Sequence, residues 1–183
     1  MDSFSNMLEQ EIPRLRRYAC ALHRWNRSHA DDLVQDTLVR AIAKQHLWQP
    51  GTNLRSWLFT LMHNQHVNDV RRSVARGGIS HAVDELHDNR ASASDAEASL
   101  QLRDLERALG KLLIEQREII LLVALEGMSY ADVAEVVGIP VGTVRSRLSR
   151  GRMALRQLMD TGEKTLPALH AGGDRPALLG AYQ

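Results

Sequence analysis

The stretch from Gly127 to Arg152 constrains this chain more than any other part of it. It reads as a short helix, a tight glycine turn and a second helix studded with arginine. That is the layout of a helix-turn-helix that lays its second helix in the major groove of DNA. Ser129 is placed to cap the first helix, with Asp132 three residues on to reach back in a capping box. Val133, Ala134 and Val137 form its inner face, and Ala134 is small where two helices must cross closely. Gly138 supplies the positive φ that ends the helix, Ile139 tucks in behind, and Pro140 opens the next helix without needing a donor.

At ~100° per residue the second helix separates into faces. Val141, Val144, Leu148 and Leu155 fall on the side expected to pack inward. Thr143, Ser146, Ser149 and Arg150 fall on the far side, within reach of base edges. Arg145, Arg152 and Arg156 lie along one flank and Arg147 along the other, where phosphates would run. No acid interrupts the run from Val141 to Arg156. An arginine such as Arg150 can read guanine bidentately, worth ~1–3 kcal/mol of discrimination. The flanking arginines add affinity without sequence information. The competing reading is an ordinary amphipathic helix with solvated arginines; cap, turn and two-faced helix together favour DNA.

Among 183 residues, 44% are hydrophobic but only 4% aromatic, so Leu, Ala and Val must build the cores, which suits helices. The net charge of +1 hides segregation. Arg14, Arg16, Arg17, Arg24 and Arg27 crowd the beginning, and the Arg145 to Arg156 cluster lies near the end. Asp84, Glu85, Asp88, Asp95 and Glu97 make the middle acidic. Basic ends around an acidic connector suggest two nucleic-acid-facing modules. Cys20 is the only cysteine and reads as a small core residue. There is no signal-peptide pattern and no apolar run long enough to span a bilayer, so a cytoplasmic protein is expected. His63 and His66 sit one turn apart without a third ligand, so no metal is expected, nor any cofactor. No phosphate-cradling loop and no nucleophile constellation argues for an enzyme.

The pattern predicts an all-α fold of two small helical domains. The first, residues 1–76, reads as three helices: Phe4 to about Trp25, a second capped by Ser28 and running to about Leu47, and a third capped by Thr52 or Asn53 and running to about Arg72. Gln49-Pro50-Gly51 breaks the second from the third, whose buried stripe is Leu54, Trp57, Leu58 and Leu61. Residues 77–98 read as a flexible acidic linker. Residues 99–160 hold the helix-turn-helix behind a Leu102, Leu105, Leu109 and Leu112 stripe, and 161–183 read as a disordered tail. His23 and His29 flank a basic turn and are expected at the surface.

On the second helix, Ala30, Leu33, Val34, Thr37, Leu38 and Ala41 face inward, while Asp32, Gln35, Asp36 and Val39 share the outer face. An acidic face wants a basic protein surface rather than phosphates. The Asp32-to-Asp36 face, the Asn53-Leu54-Arg55-Ser56-Trp57-Leu58 stretch with Asn64 and Asp69 beyond it, and the Val141 to Leu148 helix come in an order that resembles the extracytoplasmic-function sigma factors of bacterial RNA polymerase, of the sigma-70 family. The loop before Leu54 is similar to that of the general-stress branch. The likeness runs from about Leu8 to Gln157. It departs at Ile114, where many members carry proline.

The resemblance implies roles. Asp32, Gln35 and Asp36 would dock on the clamp helices of the polymerase β′ subunit. Trp48, Asn53, Asn64, Asn68, Arg71 and Arg72 would contact the melted −10 element, with Trp48 either stacking a base or covering the domain edge. Thr143, Arg145, Ser146, Arg147, Ser149, Arg150 and Arg152 would hold the −35 duplex. The scaffold Gln116 to Leu125 would meet the β flap. A dedicated anti-sigma partner is implied as well. Two alternatives are a stand-alone helix-turn-helix regulator, which has no use for the acidic face, and a sigma-like decoy, which has no use for the arginines.

Overall fold

The computed structural model describes residues 3–75 and 96–160. Among these residues the fold is all-α: seven α-helices, a short 3₁₀ turn, a π-helical turn and no strand. The tail, and the linker as far as residue 95, lie outside the described residues.

Helix α1 spans Ser3–Leu22 and ends three residues before the end its periodicity predicts. It is stopped by backbone, not by sequence punctuation. Arg24 and Trp25 both adopt positive φ, 53° and 64°. The Trp25 amide donates to the Cys20 carbonyl at 2.7 Å, the long-range bond of a Schellman ending. Arginine occupies the position that usually belongs to glycine. Helix α2, Arg27–Ala43, is capped by Asn26, whose side chain accepts from the His29 amide at 3.1 Å. Ser28, the expected cap, therefore lies inside the first turn. Residues Gln45–Leu47 tighten into a 3₁₀ turn, and Gly51 at φ 92° reverses the chain. Asn53 then caps α3, Leu54–Ala75, by accepting from the Ser56 amide at 3.2 Å.

Helix α4, Ala96–Lys111, begins ahead of the predicted boundary. Its stripe is graded: Leu109 and Leu112 are buried, Leu105 is half-buried and Leu102 is exposed. Helix α5, Ile114–Ile120, runs straight into the π turn Leu121–Leu125. The Glu126 amide donates to Leu121 O and the Met128 amide to Leu122 O, which widens the helix where α6 must leave it. Helix α6, Tyr130–Val137, carries the predicted capping box between Ser129 and Asp132 and ends at Gly138 with φ 65°. Helix α7, Val141–Asp160, crosses α5 at Gly151. A Cβ there would stand 2.9 Å from Ile120 Cδ1 and 3.1 Å from Gln116 Cβ, so any larger residue would force a shift at this crossing. Val144 and Leu148 are buried as expected, whereas Val141, also expected inside, is exposed because it sits at the open end of the turn.

The two halves share one apolar core. Leu15, Leu22, Leu58, Phe59 and Met62 from α1 and α3 belong to the same cluster as Ile119, Leu122, Val133 and Val144. Helix α3 packs on α6, and α1 packs on α5 and the π turn.

Candidate functional site

The outer face of α2 carries Asp32, Gln35, Asp36 and Val39, all exposed, above buried Leu33, Val34 and Thr37. The Thr37 hydroxyl is absorbed by the Leu33 carbonyl at 2.7 Å, so the inner face stays fully apolar in effect. Asp36 accepts from Gln65 Nε2 at 3.0 Å, and the same amide reaches Asp69. That bond holds one carboxylate of the acidic face in place while leaving Asp32 and Gln35 to solvent.

On α3, Asn64, Asn68 and Arg72 recur every fourth residue and are exposed together, while Arg71 is half-buried. Arg72 pairs with Asp69 at 3.6 Å. Asn53 stands exposed at the start of the same helix with its side-chain oxygen engaged in the cap. Trp48 is half-buried and its ring lies 5.5 Å from that of Phe4. The indole thus rests against α1.

Helix α7 presents Arg145, Ser146, Ser149, Arg150 and Arg152 on an exposed basic and polar face that also carries Met153. Ser146 donates to the Thr143 carbonyl at 3.0 Å, and Arg150 Nε approaches the Ser146 carbonyl at 3.4 Å. Thr143 is half-buried, and so is Arg147, which lines a cleft with Val67 and Val70 of α3. The two flanks of the helix therefore differ: one is open, the other faces the N-terminal half.

Sequence reading did not find the polar cluster where the halves meet. His63 Nδ1 and the Glu118 carboxylate lie 2.5 Å apart, and the Tyr18 hydroxyl donates to the same carboxylate oxygen at 3.4 Å. Burial alone would raise the Glu118 carboxyl; the hydrogen bond and charge of His63, the charge of His66 and the Tyr18 hydroxyl outweigh it and hold the group below its ordinary range. Burial, then Glu118, raises the Tyr18 hydroxyl. Arg117 is also buried. It donates to the carbonyls of Leu109, Gly110 and Leu112 at the end of α4 and to Leu22 at the end of α1, all within 3.0 Å. Burial lowers its guanidinium to about 10. Arg17 reaches across to buried Glu126 at 2.9 Å. His23, expected at the surface, is mostly covered by His66, whose ring lies 5.1 Å away. Burial and its histidine neighbours push His23 down to about 3. Among the described residues, neither ring nitrogen of His66 has a hydrogen-bond partner. Burial lowers His66 as well.

Residues 102–155 match the family model for sigma-70 region 4, and residues 8–63 match that for the Sigma2 domain of PhyR. The chain is 38% identical to the ECF RNA polymerase sigma factor EcfG of Rhodopseudomonas palustris over 86% of each chain. It belongs to the extracytoplasmic-function sigma factors. It is also 32% identical to the sigma factor SigC of Mycobacterium tuberculosis over 85% of this chain and 80% of that one. Among solved structures, the sigma factor RpoE of Bartonella quintana, in complex with the anti-sigma factor NepR, superposes with a TM-score of 0.73 at 34% identity, covering 88% of this chain and 99% of that one. CnrH, in complex with the cytosolic domain of CnrY, superposes with a TM-score of 0.64 at 28% identity, over 87% and 88%. The EcfG and PhyR likenesses are compatible with the general-stress branch. As a sigma factor, the chain is a regulatory initiation factor of transcription. Among the described residues no helix is long and apolar enough to cross a membrane, and no cluster of side chains could hold a metal ion.

Proposed function

We propose that this sigma factor joins bacterial RNA polymerase core through Asp32, Gln35 and Asp36 on the β′ clamp helices and through the α5 scaffold on the β flap. Residues 1–76 and 99–160 act as separate promoter-binding units. Asn53, Asn64, Asn68, Arg71 and Arg72 hold the melted −10 element, with Trp48 supporting that edge. Thr143, Arg145, Ser146, Arg147, Ser149, Arg150 and Arg152 hold the −35 duplex. Each unit binds weakly alone, and the assembly gains through effective concentration. An anti-sigma protein switches the factor in the cytoplasm, and no reaction is catalysed by the chain itself.

The observation that carries this reading is charge segregation on one fold. Helix α7 exposes Arg145, Ser146, Ser149, Arg150 and Arg152 along its open face, with Met153 among them and no acid, while α2 exposes carboxylates. Transcription by purified core enzyme on a genomic library, with start-site mapping, tests it: a shared upstream sequence pair supports the reading, and random starts refute it. A second reading, a sigma-like decoy that titrates an anti-sigma factor, draws on the match to the PhyR domain. It leaves the arginine face without a use. Loss of promoter output in an Arg150→Ala chain would speak against the decoy.

A further inference from the structure

Helix α2 carries the carboxylates assigned to the polymerase, and helix α3 carries side chains assigned to the −10 strand. The two helices pack on each other, and one buried side chain joins their polar faces. Gln65, on α3 and only 2% exposed, turns its amide nitrogen to two carboxylates at once. Nε2 donates to Asp36 Oδ2 at 3.0 Å and to Asp69 Oδ2 at 3.1 Å, with Asp69 Oδ1 at 3.3 Å. An amide nitrogen has two hydrogens, so each acid takes one. Asp69 in turn meets Arg72 Nη1 at 3.6 Å, three residues further along α3. The series Asp36–Gln65–Asp69–Arg72 therefore runs from the acidic face of α2 to the exposed polar face of α3.

Stability alone would not select this arrangement. With its nitrogen on the acids, Gln65 Oε1 is buried, and among the described residues it has no hydrogen-bond partner. A buried acceptor left without a partner costs free energy. A methionine would fill similar space and strand nothing. What the amide supplies is a neutral donor between two like charges. Without it Asp36 and Asp69, both exposed, repel each other and turn to solvent.

We infer that Gln65 is a positioning residue for two contacts of this sigma factor: it holds Asp36 in place for the polymerase and, through Asp69, holds Arg72 in place for the −10 strand. This rests on the function proposed above. The side chains facing the enzyme and the strand share one anchor, so they are set relative to each other as well as to the fold. Side chains held this way lose less freedom when they bind.

The test uses the full chain and measures two affinities by fluorescence anisotropy. One is that of the factor for core enzyme. The other is that of the holoenzyme, at saturating core, for a single-stranded oligonucleotide carrying the −10 element of a mapped promoter. Gln65→Met should weaken each about threefold or more, with helix content by circular dichroism and binding to the −35 duplex unchanged. Non-additivity separates positioning from a merely structural role. The loss for core should vanish in an Asp36→Asn background, and the loss for the strand should vanish in an Asp69→Asn or an Arg72→Ala background. Losses that multiply in those backgrounds, or a Gln65→Met chain that binds both partners as the parent does, overturn the inference while the sigma function stands. A parent that binds neither core nor strand overturns the function, and the inference with it. A Gln65→Met chain that does not fold is replaced by Gln65→Asn, which keeps an amide one methylene short of both acids. If that chain also unfolds, Gln65 serves the core alone and the inference falls.

Discussion

Two glycines in helix α7 should respond oppositely to the same substitution. Gly142 has nothing within 4 Å of where a Cβ would be, so alanine there adds helix propensity and restricts the unfolded chain. The gain is about 0.4–1 kcal/mol. Gly151 offers the same local gain, but its Cβ would meet Ile120 Cδ1 at 2.9 Å and Gln116 Cβ at 3.1 Å. Ile120 is buried and the Gln116 Cβ is fixed to the α5 backbone, so neither neighbour can turn away cheaply. Overpacking of this kind costs about 1–3 kcal/mol. The net for Gly151→Ala is then between about zero and 2 kcal/mol destabilising, and the two variants should differ by about 1–3 kcal/mol. Urea unfolding followed by circular dichroism reads the difference as a shift in midpoint. At about 2–4 °C per kcal/mol for a chain of this size, melting temperatures should separate by several degrees. Equal stabilisation by both substitutions would show that α7 does not approach α5 at Gly151.

Acidification should destabilise the closed body before any carboxylate titrates. His23 and His66 have folded pKa values below 6.5, so the unfolded or opened chain binds more protons and stability falls as pH drops through and below 6.5. The facing groups are His29, His63, Arg117, Glu118 and Asp69, and for His23 alone the loss from pH 7 to pH 5 is roughly 2 kcal/mol, measurable by urea unfolding at both values. A flat profile over that range would mean these rings are not buried. Ser129→Ala removes half of the capping box and should cost about 1 kcal/mol of stability, read by thermal melting, with no change expected from Ser28→Ala beyond a few tenths. Binding of the chain to a −35 duplex should fall with log salt at a slope of about −0.9 per phosphate contacted, and Arg152→Ala should flatten that slope by about one contact. A slope that is unchanged in the variant would remove Arg152 from the phosphate path.

What could be read from the sequence was local. The Ser129–Asp132 box, the Gly138 turn and the two faces of α7 each lie within a few residues of one another, and their chemistry is legible in a single turn. The acidic face of α2 was legible for the same reason. The end of α1 was not, because Arg24 and Trp25 take left-handed backbone where no glycine signals it. The α2 cap went to Asn26 over Ser28, a two-residue choice that composition cannot make. The closure between halves was hidden altogether. Tyr18 and Glu118 stand 100 residues apart, and no periodicity links them. A basic turn containing His23 looks solvated until α3 brings His66 against it.

The central claim is that negative charge on α2 recruits an enzyme while positive charge on α7 grips a duplex. Run-off transcription with purified core enzyme, comparing the parent with Asp32→Lys/Asp36→Lys, tests it most directly. The account expects one promoter-specific transcript that vanishes on charge reversal while binding to the isolated −35 duplex persists. A transcript that survives reversal of both charges, or none from the parent, would contradict it.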